Sequence, residues 1–235
     1  MKEILTLIAA LISASSCAQA QSPNNLVPQL ERLADHGNAE AQYHLGMTYW
    51  VGEGVDKDVN KAVKYFESAA AAGDPLGAYK LGCLYDGQDG VMDRDTTKAL
   101  KYKLMAANAG YALAQQDVAS LYAERSEYDP ALSWLEKAAK QGTTGALMAY
   151  ASVHNGAPGI KADPVITAAY FRLYLDRAEG SDKQRDWLKA FEQKLTPEQH
   201  DEVSRTVASY RPAPTALTIK ALRGVEAAKE LAREN

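Results

Sequence analysis

Cysteine is scarce in this chain, charge of either sign is weakly expressed, and no long apolar run is present. Only 2 cysteines occur in 235 residues, Cys17 and Cys83. Cys17 falls in a leader-like segment, so leader removal leaves Cys83 alone and excludes an internal disulfide. An exported protein of this kind must hold together by packing. Cys83 lies within an apolar helical pattern and reads as a small buried residue, with a reactive thiol as the alternative. The net charge is −4 and the pI is near 5.6. With no basic stripe, nucleic acid is excluded as the expected partner, and the slight acidity does not steer a strongly cationic ligand. The stretch Ile4 to Ile12 is shorter than the roughly 20 residues that span a bilayer. Lys2 precedes it, and Ala18-Gln19-Ala20 follows as an A-x-A cleavage site. Residues 1–20 thus read as a secretory signal peptide with Gln21 opening the mature chain. A competing reading takes Ala14-Ser15-Ser16-Cys17 as a lipobox and Cys17 as a lipidated residue, which would give the protein its one route to membrane contact. On both readings the chain is exported, and in a bacterium the expected destination is the periplasm.

Signatures of catalysis are missing too. Gly52-Glu53-Gly54 lacks the third glycine and the preceding strand of a dinucleotide fingerprint. There is no P-loop, G-x-S-x-G or H-E-x-x-H. His36, His44, His154 and His200 are scattered, and none has metal-ligand spacing to a second His or Cys. Asp56, Asp58, Asp93 and Asp95 flank glycine turns, but a calcium loop needs a denser run of oxygens and a bidentate Glu. No cofactor, no metal and no enzymatic activity are expected.

What the chain does contain is an internal repeat. Hydrophobic residues make up 46% and charged residues 24%, with tyrosine (13) far ahead of phenylalanine (3), an ordinary balance for a folded domain. Residues 38–73 read NAEAQYHLGMTYWVGEGVDKDVNKAVKYFESAAAAG, and residues 74–110 read DPLGAYKLGCLYDGQDGVMDRDTTKALKYKLMAANAG. A third unit, 111–142, keeps AQQDVASLY and ALSWLEKAAKQG without the glycine loop. A fourth, 143–180, keeps GALMAYASVHNGAPGIKADP and is expected to carry a longer second helix.

In the first unit Ala41, Leu45, Gly46 and Tyr49 recur at helical spacing. Gly46 is a poor helix former, about 1 kcal/mol worse than alanine, and its slot holds Gly82, Ala119 and Ala151 in the other units. A position small in every copy predicts a close helix crossing. His154 occupies the slot of Tyr49, Tyr85 and Tyr122 and so reads as a packing residue. Asp58, Asp95 and Asp163 are the expected N-caps of the second helices, and Gly73, Gly110 and Gly142 their C-terminal stops. Leu26 to Gly37 reads as a lone second helix capping the open end, with Leu30, Leu33 and Ala34 as its stripe. After Gly180, Trp187, Leu188, Phe191 and Leu195 predict one amphipathic helix. Thr196 and Gln199 predict a capping box opening the next, which carries Val203 and Val207. Arg211-Pro212-Ala213-Pro214 then breaks the chain before a last helix with Leu222, Val225, Ala228 and Leu231 on one stripe. This tail is expected to cap the far end of the stack, with docking as a separate arm as the alternative.

The first unit resembles the Sel1-like repeat, from its A-x-A-x-x-x-LG-x-x-Y opening through the G-x-GV loop to the closing AA-x-x-G. The second unit matches with one extra loop residue, the third is truncated and the fourth degenerate. The resemblance implies an all-α, right-handed α-solenoid of helix-turn-helix repeats related to tetratricopeptide arrays, with a helical C-terminal cap. The corresponding layout is a signal peptide (1–20), a capping helix (21–37), four repeats (38–180) and a helical tail (181–235). The missing loop in the third unit is expected to change local curvature.

By analogy with the tetratricopeptide frame, the first helices line the concave face. That frame turns Tyr43, Met47, Trp50 and Val51 inward, then Tyr79, Cys83, Asp86 and Gly87. Gln116, Ser120, Ala123 and Glu124 follow from the third unit, and Met148, Ser152, Asn155 and Gly156 from the fourth. Tyr and Trp are enriched at interface hot spots; the alternative for Tyr43, Tyr79 and Trp50 is packing on neighbouring helices. Resemblance to exported members of the family implies a scaffold that binds another protein. The sharper form is an immunity protein neutralising a secreted antibacterial toxin, such as a type VI phospholipase effector. An envelope signalling regulator or assembly adaptor is the alternative. A cell-wall or β-lactam hydrolase is the rival class, but the paired cysteines of family members linked to β-lactams are missing here.

Overall fold

A computed structural model describes residues 26–234. The leader, its A-x-A site and Cys17 lie outside the described residues. Thirteen α-helices and no strands occur among the described residues. The lone helix α1 (Leu26–Asp35) is followed by four antiparallel pairs: α2 (Ala39–Val51) with α3 (Val59–Ala71), α4 (Pro75–Tyr85) with α5 (Thr96–Asn108), α6 (Ala112–Glu124) with α7 (Tyr128–Gln141), and α8 (Thr144–His154) with α9 (Pro164–Leu175). Each pair packs on the next, giving a helical solenoid. The second helix of the fourth pair is not longer than its counterparts. It has 12 residues where the others have 13 or 14, because Asp163 caps it late and the residues to Gly180 form turns instead.

The helix starts follow from side-chain caps. Asp58 accepts from the Lys61 N–H at 2.9 Å, Asp95 from Lys98 at 2.9 Å and Asp163 from Ile166 at 3.0 Å. Each satisfies a backbone donor that the first turn leaves unpaired. The same frame closes each pair through the backbone. The N–H of Asp58 donates to Tyr49 O (2.9 Å), that of Asp95 to Tyr85 O (2.7 Å), that of Glu127 to Tyr122 O (2.9 Å) and that of Asp163 to His154 O (2.9 Å). The short third loop and the glycine-bearing fourth loop therefore return to the same anchor as the first two.

The small position in the first helix is a crossing point. A Cβ on Gly46 would lie 2.5 Å from Phe66 Cε1, and one on Gly82 would lie 2.7 Å from Lys103 Cγ and 3.0 Å from the Lys103 backbone nitrogen. Ala119 packs with Leu135 and Ala138 of α7, and Ala151 is buried. A larger side chain at these positions would push the two helices of the pair apart.

The far end is covered by α10 (Asp182–Glu192) and α11 (Pro197–Ser209), which pack on α9. Both begin with capping boxes, Ser181 with Gln184 and Thr196 with Gln199. The remainder does not stay at that end, as the tail was expected to do. It returns along the edge formed by the turns between repeats. Tyr210 donates its hydroxyl to Ala139 O at 2.6 Å, and the Ala213 N–H donates to Lys140 O at 3.0 Å. Turn glycines let the strand of chain come this close. Gly142 and Gly110 hold φ of +85° and +95°, and a Cβ on them would meet Pro212 at 2.6 Å and Thr215 at 2.9 Å. Both the conformation and the space exclude a side chain there.

The expected single last helix is two, α12 (Ala216–Arg223) and α13 (Val225–Glu234), broken at Gly224 with φ 47° and ψ −113°. Leu222, placed on the apolar stripe by sequence, is 80% exposed. After the break the buried stripe of α13 is Ala227, Ala228 and Ala232. Helix α13 ends on α1 and α2, at the opposite end of the array from α11.

Candidate partner-binding face

The first helices of the repeats place the predicted binding positions in register. Val51 is 63% exposed, Met148 is exposed, and so are Ser120, Ala123, Glu124, Ser152, Asn155 and Gly156. Tyr43, Met47, Trp50, Tyr79, Asp86, Gly87 and Gln116 are half-buried. Cys83 is 5% exposed, and burial pushes its thiol up to about 11. The structure removes Cys83 from the accessible set, because its helix turns it toward Tyr79 and Lys103 rather than outward.

Three clefts run along these positions. In the first unit Tyr43, Met47 and Val51 join Leu26 and Val27 of α1 and Val225 and Ala228 of α13 around a groove of about 640 Å³. In the third, Gln116, Ser120 and Ala123 join Leu132, Val153 and Ile160 around an apolar pocket of about 250 Å³. The loop after α8 lines it through Ala157, Pro158 and Ile160, with Gly159 seated on the Tyr128 ring. In the fourth, Ser152 and Asn155 face Phe171 and Trp187 across about 230 Å³. Trp187 is exposed and stacks on Phe191.

Between the first and third clefts lies a polar knot. Lys103 is fully buried, yet its ammonium reaches Asp86 at 2.6 Å and Asp117 at 2.8 Å. Burial alone would lower its pKa, but the two carboxylates outweigh that and hold it above the ordinary lysine value. Asp86 is in turn held by Arg94 at 3.2 Å, and Arg94 pairs with Glu124 at 2.6 Å. Burial by itself would raise the Asp86 carboxyl, and Lys103 with Arg94 overcome it and hold the group below its usual range. Asp117 also accepts from the Tyr79 hydroxyl at 3.3 Å, and Tyr79 meets Tyr111 edge-on at 4.8 Å. Desolvation raises both phenols above the ordinary tyrosine value, and Tyr79 serves as the donor to Asp117. This knot couples the second and third repeats. Asp86 and Glu124 are therefore tied to cations of the protein itself, and Tyr79 spends its polar end on the neighbouring repeat.

Sequence reasoning passed over Lys103, Asp117 and Trp187. The signal for Lys103 was present. It stands in the frame where the first repeat has Phe66, a charge at an aromatic core position opposite the small Gly82. Tyr43 and Trp50 approach the Phe66 ring at 6.5 and 6.3 Å, so each contributes one side to the core and leaves part of the other to solvent.

The family model for the Sel1 repeat matches residues 39–74, 75–111 and 114–143. The chain carries three Sel1 repeats. The fourth helix pair of the Sel1 array falls outside those matches, yet it keeps the backbone anchor at His154 and the small residue at Ala151. Among solved structures, a Sel1 repeat protein from Oxalobacter formigenes is similar over 89% of this chain and 80% of its own, with a TM-score of 0.62 at 22% identity. A protective antigen of uropathogenic Escherichia coli with a Sel1-like-repeat fold aligns over 88% of this chain and 50% of its own, with a TM-score of 0.49 at 20% identity. The immunity protein Pa5087 of Pseudomonas aeruginosa aligns over 66% of this chain and 74% of its own, with a TM-score of 0.39 at 22% identity. No curated protein matches the sequence. The first of these likenesses shows a shared Sel1-array fold. Sel1 repeats serve as scaffolds for protein–protein contact. Among the described residues no group of three His, Cys, Asp or Glu side chains is arranged to hold a metal ion, and no helix is long and apolar enough to cross a membrane.

Proposed function

We propose that the first-helix face of this Sel1 array is its concave binding surface, and that it grips one protein partner in the periplasm without chemistry of its own. The observation that carries this reading is the row of three clefts lined by Tyr43, Met47 and Val51, by Gln116 and Ser120, and by Ser152 and Asn155. An extended or helical segment of a partner can set apolar side chains into successive clefts, while Trp50 and Trp187 supply aromatic area beside them. Aromatic anchors in partly desolvated clefts are where binding energy concentrates. The periplasmic setting rests on the A-x-A leader in the sequence.

Within this class we propose immunity: the partner is a secreted antibacterial toxin, held inactive by occupation of the groove. The short, self-capped array suits one partner of domain size. The test is affinity capture from the native periplasm, followed by calorimetry with the purified partner and the Trp50→Ala chain. Trp50→Ala is expected to weaken binding at least tenfold, in line with removal of a hot-spot tryptophan. An affinity within twofold of the parent would refute the concave-face assignment. Capture of a sensor kinase or an envelope assembly component would replace immunity by regulation while leaving the scaffold role intact.

A further inference from the structure

Helices α2, α4, α6, α8 and α13 share one sequence pattern. The repeats' first helices carry a small residue, then four places on an apolar one and directly after it a second small residue. The sets are Ala41, Leu45 and Gly46; Gly77, Leu81 and Gly82; Ala114, Val118 and Ala119; and Ala146, Tyr150 and Ala151. All twelve residues are buried. Helix α13 carries Ala227, Leu231 and Ala232 in the same spacing, with both alanines buried and Leu231 packed against the first core cluster.

Its position matches its pattern. A first helix in this array packs on the second helix of its own unit, and α2 also meets α4, the first helix of the next unit. Helix α1 stands in the place of a second helix, no first helix precedes it among the described residues, and α2 is the first helix that follows. Helix α13 packs on both. Ala228 enters the same core cluster as Leu30, Ala34 and Leu45, and Lys220, at the end of α12, fixes the approach through Glu40 of α2 at 2.5 Å.

We infer that the face of α1 and α2 beneath α13 is a helix-acceptor site, and that its ligand is a helix of the form small–x–x–x–Leu–small. At rest α13 fills it, lying where a first helix paired with α1 would lie. A partner helix of the same form takes that place when α13 swings out about Gly224, whose φ and ψ already lie outside the helical range. The groove beside α13, with Tyr43, Met47 and Val51 on its wall, gives such a partner a place to land before the exchange. The inference is independent of the immunity reading, because its test uses no toxin.

The probe is a fluorescein-labelled peptide of residues 225–235, titrated by anisotropy into the full chain. A tethered helix acts at an effective concentration in the millimolar range, so the parent chain is expected to bind the peptide weakly. Ala228→Asp in the full chain sets a carboxylate into the α1–α2 core and ejects the tethered helix, and peptide affinity is expected to rise at least tenfold. The same substitution in the peptide is expected to abolish binding. Should Ala228→Asp lose its circular dichroism, Ala228→Gly weakens α13 by helix propensity alone and is expected to raise affinity roughly fivefold. Equal affinity of parent and variant chains, or binding of the Ala228→Asp peptide, overturns the inference. So does a stable dimer of the parent chain in light scattering, which would place a second copy's α13 in the site.

Discussion

Replacing Gly46 by alanine sets two effects of opposite sign against each other. In a helix interior the change favours folding by about 1 kcal/mol. The new methyl carbon, however, lands 2.5 Å from Phe66 Cε1 and 2.6 Å from Cδ1. Ordinary carbon contacts lie near 3.5–4.0 Å, so the ring must retreat by roughly 1 Å. Phe66 is 1% exposed, with Tyr43 on one side and Trp50 on another, and a close-packed core does not yield that distance freely. Overpacking of this kind costs about 2–3 kcal/mol, which leaves a net loss of about 1–2 kcal/mol. For a chain of this size that lowers Tm by about 3–6 °C. Thermal and urea unfolding of Gly46→Ala, Phe66→Leu and the double variant provide the assay. The smaller side chain opens room for the methyl group, so the double variant is expected to be more stable than the sum of the singles by at least about 1 kcal/mol. A Gly46→Ala chain that is more stable than the parent, or strictly additive effects, would refute the claim that this small position exists for the helix crossing.

Three further outcomes follow from the geometry. Lys103→Met leaves Asp86 and Asp117 without their shared cation and is expected to destabilise the chain by about 2–3 kcal/mol at pH 7, less than a fully buried pair because both carboxylates keep some solvent. The Asp86 carboxyl is held below its ordinary value, so its contribution is complete above about pH 4 and fades as pH falls through the folded value; urea titrations between pH 2.5 and 7 should show that slope in the parent and a flatter one in Lys103→Met. His154, with both ring nitrogens buried and unpartnered, has its pKa lowered by burial against a smaller opposing pull from Asp163 and Glu136. Stability is therefore lost as pH drops from about 6.5 through the folded value, and His154→Tyr, which restores the residue of the other repeats, should raise Tm more at pH 5.5 than at pH 8. Thr218→Val removes the hydroxyl that accepts from the Ala112 N–H at 3.0 Å and donates to Gln141 at 2.7 Å; leaving these buried groups unpaired is expected to cost about 2 kcal/mol, and hydrogen exchange should quicken over residues 216–234.

Much of the architecture was legible because each repeat states its own punctuation. Asp58, Asp95 and Asp163 cap, the turn glycines stop, and the small slot at Gly46 and Gly82 repeats, all from local chemistry that needs no knowledge of distant chain. The exposure of the proposed binding positions was legible only as far as the tetratricopeptide analogy reaches. It places Val51, Ser120 and Met148 at the surface, but it does not foresee that Lys103 threads beneath Gly82 and draws Asp86 and Glu124 into a network. That network depends on side chains from three helices meeting in space. The path of the tail was illegible for a similar reason. Its register is set by Thr215 and Thr218 hydrogen-bonding to Gly110 and Gln141, contacts between residues far apart in sequence, and a stripe drawn through Leu222 and Val225 ignored the helix break that Gly224 allows.

A linear pile of helical hairpins has two loose ends, and each hairpin leans only on its neighbours. Such piles open from whichever end is weaker. Here the tail bridges hairpins that are not neighbours, joining the third to the first across the row of turns, so those hairpins gain a shared support and are expected to melt closer together than in an unbridged pile.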